Sequence, residues 1–196
     1  MTKEAKSEAT ETTAEDSPAT PGLYTFQKPL KGKNGEPILT MQLREVLAKD
    51  LMVAEKFNGD TSATTAMFAG MTGISYGVLC GMTGRDYDAA DKLLASMVDS
   101  HSERVTKTTD DKGRLVFAFD PPLAGDDGVS VAEIVLDEPT VKDMIAGEKH
   151  AGNVASTLAK LESMTGVDFD VLAQMTALDF DMVYKAVSYT HLTLPT

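Results

Sequence analysis

The feature that most constrains the fold is an internal repeat with a constant offset of 93 positions. Residues 71–74 (Met-Thr-Gly-Ile) return as residues 164–167 (Met-Thr-Gly-Val). Residues 86–88 (Asp-Tyr-Asp) return in the same way as residues 179–181 (Asp-Phe-Asp). This period is too long for one unit of a solenoid, so the chain is interpreted as two copies of one small domain.

The repeat divides the chain into segments. We expect the first copy over 23–100 and the second over 116–186, with a mainly polar linker over 101–115 between them. Residues 1–22 hold almost no large apolar side chain and cannot offset the entropy cost of ordering, so a disordered tail is predicted. Residues 187–196 break the repeat and resemble the translation of a sequencing adapter. We expect that stretch to be non-native and the second copy to be truncated.

Charge and cysteine content exclude several classes of function. The net charge is −12 and the pI is about 4.6, whereas phosphate-backbone binding needs clustered Lys and Arg. A single cysteine, Cys80, cannot form an internal disulfide and fits a reducing cytoplasm. The chain has no apolar run of the roughly 20 residues that a membrane helix needs. We therefore expect neither a nucleic-acid nor a membrane partner.

Each copy begins with two alternating apolar segments around a glycine-containing turn. The segments are 24–30 with 38–43 in the first copy and 116–123 with 129–136 in the second. An Asn-Gly pair ends at Gly35 and an Asp-Gly pair at Gly128, which predicts a β-hairpin because both residue types tolerate positive φ. A phosphate-binding loop is set aside, since no Lys-Ser/Thr follows the glycines. Pro29 and Pro122 are expected to end the first strand or to mark an edge.

Three to four short helices are expected to follow each hairpin. Thr140 is a plausible N-cap, with Asp143 as its capping-box partner. Asp50 lies in the opening turn of the equivalent helix of the first copy. Gly73 and Gly166 lie just past the end of the next helix, as C′ glycines do.

Shorter signals place the remaining helices. Asp168 is a good N-cap for a short helix, and the last helix of each copy opens near Asp86 or Asp179. The fold class predicted is therefore α+β, mainly α, with two similar small domains, each a β-hairpin followed by three to four short helices.

Paired aspartates are the strongest candidates for chemistry. Asp86 with Asp88, and Asp179 with Asp181, could form an acid/base couple or a metal site. Because acidic residues are favoured at helix starts, we interpret both pairs as capping residues. Cys80 is replaced by Ala in the second copy and is expected to be a core residue. No catalytic, cofactor or metal site is predicted.

The order and spacing of these motifs resemble a known family. The first copy has Phe-Gln-Lys-Pro-Leu at 26–30, a glycine turn, Leu-Arg-Glu at 43–45 and Lys-Asp-Leu at 49–51. Together with Met-Thr-Gly-Ile at 71–74, this is similar to the tail assembly chaperones of contractile-tailed phages of the Mu and P2 type. The second copy resembles them more closely, with Leu-Asp-Glu-Pro-Thr at 136–140. Family members are usually single copies, so a tandem is a departure.

The resemblance implies a non-catalytic protein of the host bacterial cytoplasm that is absent from the mature virion. Such chaperones bind the long tape measure protein and help tail tube assembly. The implied partners are the tape measure protein and, as a second candidate, the tail tube protein. The alternative is a minor structural tail or baseplate protein retained in the virion. The sequence leaves the oligomeric state open.

Overall fold

The computed structural model describes residues 22–100, 104–125 and 128–189 of the 196. Its elements fall into two units, each with strands followed by helices, so the fold is α+β and mostly helical. The first repeat holds β1 (Leu23–Lys31), β2 (Pro37–Gln42), α1 (Ala48–Ala54), α2 (Asp60–Thr72), α3 (Tyr76–Leu79) and α4 (Gly84–Ser100). The second repeat holds β3 (Val105–Thr109), β4 (Leu115–Ala124), β5 (Ser130–Leu136), α5 (Val141–Glu148), α6 (Asn153–Thr165), α7 (Phe169–Leu172) and α8 (Ala177–Tyr189). The predicted fold class is confirmed.

The sheet of the first repeat is the predicted hairpin. Strands β1 and β2 pair antiparallel, with Leu23 opposite Gln42. Gly35 adopts a φ of 81° in the connecting turn and donates its N–H to the carbonyl of Gly32 over 3.0 Å. A residue with a Cβ is strained at that φ, which explains the Asn-Gly signal.

The sheet of the second repeat has one strand more than predicted. Strand β4 pairs antiparallel with β5, as expected, and also with β3. Strand β3 lies inside residues 101–115, the segment that the sequence indicated as a linker. Of its side chains only Val105 is buried, so the apolar alternation that marks a strand is absent.

The two prolines lie inside their strands and do not end them. The alternative expectation of an edge position holds for Pro29, since β1 is one of the two strands of its sheet, but not for Pro122, since β4 is the middle strand of its sheet. Pro29 lies in β1 between Thr25 and Leu30, where the register with β2 shifts. Pro122 lies in β4 at the equivalent shift between Ala118 and Leu123. A proline has no N–H to donate to the ladder, so a break in the register accommodates it.

Several helix ends carry the residues that the sequence indicated. Thr140 is the N-cap of α5, and its N–H and hydroxyl both donate to the Asp143 carboxylate. Gly73 and Gly166 end α2 and α6 in the left-handed conformation, each with a φ of 71°. Asp168 occupies the N-cap position of α7, but its side chain makes no capping hydrogen bond.

Each repeat has its own apolar core. In the first repeat Phe68 of α2 is completely buried and belongs to one apolar cluster with the hairpin residues Phe26 and Met41. In the second, Phe117 of β4 and Leu158 of α6 are equally buried. The cores fix the helices against one face of each sheet.

The predicted terminal tails fall mostly outside the described residues. Residues 1–21 and 190–196 are not described. Helix α8 continues through Val187, which is 6% exposed and belongs to the core of the second repeat.

Candidate interaction surface

The first repeat contacts the second through the start of α1. Three backbone hydrogen bonds of 2.8–3.1 Å join them: from Ala48 to Met175, from Lys49 to Ala173 and from Ala177 to Val46. Because the N–H groups of Ala48 and Lys49 belong to the first turn of α1, they have no acceptor inside their own helix. The second repeat therefore supplies the acceptors that the helix start lacks.

Side chains extend this contact in both directions. Lys49 donates its Nζ to the Gln174 side chain over 2.9 Å. The Glu55 carboxylate accepts the N–H groups of Asn153 and Val154 and so caps helix α6 from the other repeat. Arg104 and Glu45 form an ion pair of 3.1 Å across the same boundary.

Burial shows that the repeats share apolar packing as well. Ala48 is completely buried, and it belongs to the core of the second repeat. Met52 packs against the same core, while Ala177 packs against the core of the first repeat. Neither half can be removed without exposing core surface of the other.

The first repeat carries an open groove between α2, α3 and the start of α4. It encloses about 310 Å³. Its lining mixes apolar and hydroxyl side chains and consists of Thr61, Ser62, Thr65, Tyr76, Leu79, Cys80, Met82, Thr83, Gly84 and Tyr87. A groove of this size and composition suits a helix that presents a small apolar face.

One wall of the groove is stabilised by a buried aspartate. The carboxylate of Asp86 is fully buried and accepts hydrogen bonds of 2.8 Å from the Tyr24 hydroxyl, the Gln27 N–H and the Thr83 hydroxyl. Tyr24 and Gln27 belong to β1, whereas Thr83 precedes α4. Asp86 therefore joins the hairpin to α4, which is more than the helix-start role expected from the sequence.

The environment of Asp86 shifts two pKa values. Burial by itself would raise the pKa of Asp86, but the hydrogen bonds from Gln27, Thr83 and Tyr24 outweigh it and hold that pKa below its ordinary value. Burial, and then the hydrogen bond to Asp86 and its negative charge, raises the pKa of Tyr24 to about 12. The pair is stable as an ionised carboxylate beside a neutral phenol.

These shifts predict losses of stability at both ends of the pH range. A lowered folded pKa means that the contribution of Asp86 is present above its unfolded pKa of about 3.9 and is lost as pH falls through the folded value. A raised folded pKa means that the contribution of Tyr24 is present below about pH 10 and is lost toward about pH 12. In urea unfolding, the unfolding free energy of Tyr24→Phe should fall less steeply than that of wild type between about pH 10 and pH 12. Identical slopes would contradict this account.

Buried aspartates at two other predicted positions also have protein partners. Asp50 binds Arg44 through both carboxylate oxygens at 2.6 and 2.9 Å and accepts the N–H of Leu47. Asp143 accepts the Ser163 hydroxyl over 2.5 Å. Hydrogen bonds from Ser163 and Thr140 lower the pKa of Asp143 despite its burial. These residues position helix starts.

The paired aspartates do not converge into a reactive couple. Asp86 and Asp179 are buried, whereas Asp88 and Asp181 are exposed. Asp179 accepts the N–H of Arg104 over 3.2 Å. Within the described residues, no group of three or more His, Cys, Asp or Glu side chains could hold a metal ion.

Cys80 corrects an expectation. The sequence indicated a core residue, but its side chain is exposed in the groove. Its repeat equivalent, Ala173, is 4% exposed because the start of α1 covers it. Among the residues that the structure describes, no helix start covers Cys80 in this way, so the two equivalent positions differ in exposure.

The family comparison bears on the first repeat directly. Residues 23–99 match the model of a family described as "Phage tail assembly chaperone proteins, E, or 41 or 14". This repeat belongs to the phage tail assembly chaperone family. The suspected resemblance to this family is thus confirmed for residues 23–99.

The match has a defined extent. It covers the first repeat from β1 to α4, and the second repeat lies outside it. No curated protein and no solved structure matches the chain. No helix in the described part of the chain is long and apolar enough to span a membrane.

Proposed function

We propose that the protein binds a phage tape measure protein in the host cytoplasm and keeps it soluble until tail tube subunits assemble around it. The observation that carries this proposal is the family match over residues 23–99. The tape measure protein is the principal partner, and the tail tube protein is the second. The chain is not a component of the finished virion.

The physical properties of the chain support a holding role. A net charge of −12 keeps a complex with an apolar client in solution through mutual repulsion. The strands of the first hairpin expose two large apolar side chains, Leu23 at 45% and Leu39 at 55%. The buried aspartates serve the packing of helices, so none of them is committed to a chemical step.

Coexpression tests the proposal. The tape measure reading frame of the same phage, expressed alone, should be mostly insoluble, and coexpression with this chain should raise its soluble fraction at least several-fold and copurify the two. An unrelated acidic protein of similar size serves as the control. An equal gain from both proteins would contradict specific binding.

Purified particles distinguish the alternative function. Mass spectrometry of virions should detect tape measure and tube proteins but not this chain. Its presence in a fixed ratio to the tube subunits would instead support a minor structural tail or baseplate protein.

A further inference from the structure

We propose that the protein associates with itself head to tail, with α5 of one copy seated in the groove between α2, α3 and α4 of the next. This inference goes beyond client binding and does not depend on it. It rests on the one-sidedness of the contact between the repeats. That contact uses α1 of the first repeat and the α6–α8 face of the second, which leaves the equivalent helix and the equivalent face without a partner repeat.

The groove is the repeat equivalent of the face that receives α1. Besides Asn153, whose equivalent Asp60 does not line the groove, backbone contacts and the Glu55 cap engage five residues of the second repeat: Val154, Ala173, Met175, Thr176 and Ala177. At the constant offset of 93, these positions correspond to Thr61, Cys80, Met82, Thr83 and Gly84. All of the latter residues line the groove. The first repeat therefore has the equivalent docking face, and within residues 22–100, 104–125 and 128–189 no helix occupies it.

Helix α5 is the repeat equivalent of the helix that docks. Ala48 and Met52 of α1 correspond to Val141 and Ile145 of α5. The first two pack against the core of the second repeat, whereas Val141 is 70% and Ile145 49% exposed. Val141 and Ile145 are one turn apart, so their exposed side chains form a single apolar strip on α5.

Backbone groups that form hydrogen bonds between the repeats also have equivalents on α5 and in the groove. The equivalents of the groups that bond between the repeats are the N–H groups of Val141, Lys142 and Gly84 and the carbonyls of Met82, Cys80 and Pro139. Across the described ranges of the chain, none of these groups has a protein hydrogen-bond partner. Docking of α5 would pair each donor with one acceptor in the arrangement that α1 already shows.

Side-chain volumes on the two surfaces change in compensating directions. The groove has Thr65 where the second repeat has the larger Leu158, and α5 has Val141 where α1 has the smaller Ala48. One electrostatic difference opposes docking. Glu148, the equivalent of Glu55, would meet Asp60 at the start of α2, where the second repeat has a neutral Asn. We therefore expect a weaker and reversible contact.

The symmetry of such a contact determines the assembly. Helix α5 and the groove that receives it are different surfaces, so the contact is heterologous. Each added copy therefore presents a new free groove or a new free α5. Copies then extend into an open chain, or a ring if the rotation closes.

Sedimentation velocity of the full-length protein tests this inference, over about 1–500 μM with reductant present. The mean mass should rise with concentration past that of a dimer. Val141→Arg places a charge on the docking helix α5, and Gly84→Arg places a long side chain in the groove. Position 84 tolerates a side chain within its own fold, because an added Cβ there would meet nothing within 4 Å. Each variant alone should associate at least tenfold more weakly than wild type. Leu39→Arg, on exposed β2 surface, should associate like wild type.

Mixing the two variants gives the sharpest result. Val141→Arg keeps an intact groove and Gly84→Arg an intact α5, so an equimolar mixture should form a one-to-one pair and stop there. A mixture that stays monomeric would overturn the proposal, as would wild type that stays monomeric throughout. Wild type that is monomeric but binds another protein's helix in the groove would overturn it equally. Circular dichroism of each variant verifies the fold.

Discussion

Replacing Ala48 by Arg is expected to lower the free energy of unfolding by about 3–5 kcal/mol. Ala48 is completely buried between the repeats, so the longer side chain would force α1 away from Met175 and Ala173. Separation would also break backbone hydrogen bonds, each of which contributes about 1 kcal/mol. Urea unfolding at low protein concentration measures the change.

The chain supplies a matched control for this substitution. Val141 is the repeat equivalent of Ala48, but it is 70% exposed. Val141→Arg should therefore change the unfolding free energy of the dilute protein by no more than about 0.5 kcal/mol. Equal losses in both variants would show that the two repeats do not depend on this contact. A second, separate unfolding transition in Ala48→Arg would show that the contact couples the repeats.

Replacing Asp86 by Ala is expected to cost about 3–5 kcal/mol, because buried donors left without an acceptor cost about 1–3 kcal/mol each. The donors are the Tyr24 hydroxyl, the Gln27 N–H and the Thr83 hydroxyl. Loss of a helix cap alone, the role indicated by the sequence, would cost about 1 kcal/mol. Urea unfolding distinguishes the two magnitudes.

Asp88 provides the comparison within the same helix. It is exposed, so Asp88→Ala should change the unfolding free energy by at most about 0.5 kcal/mol. A loss of only about 1 kcal/mol in Asp86→Ala would mean that Asp86 acts as a cap and that its link to the hairpin contributes nothing.

Local signals predicted much of each repeat. Positive-φ glycines such as Gly35 and Gly73 lie where the backbone demands them, and Thr140 lies at a helix start. Helix starts lie within about two residues of the prediction, as for α4, which begins at Gly84 and holds Asp86 in its first turn. These features are governed by neighbours in sequence, which is why they are readable there.

Strand β3 was missed for a physical reason. Its sequence, Val-Thr-Lys-Thr-Thr, holds the β-branched residues typical of strands, and that composition was the available signal. Only one side chain is buried, since β3 is an edge strand that pairs with β4 and leaves its other residues in solvent. Hydrophobic alternation was therefore too weak to reveal it.

The sequence by itself determined the duplication, the α+β class and the family of the first repeat, because repeated motifs at a fixed offset encode the same local structure twice. Only the tertiary structure decided which of two equivalent surfaces, one in each repeat, is buried in the contact between the repeats. It buries Ala48 and Ala173 against each other's repeats and leaves Val141 and Cys80 exposed. When two similar domains of one chain meet through a heterologous contact, one domain uses its docking helix and the other uses its receiving face. The second helix and the second face of the pair then stay free. That asymmetry has no counterpart in either repeat's own sequence.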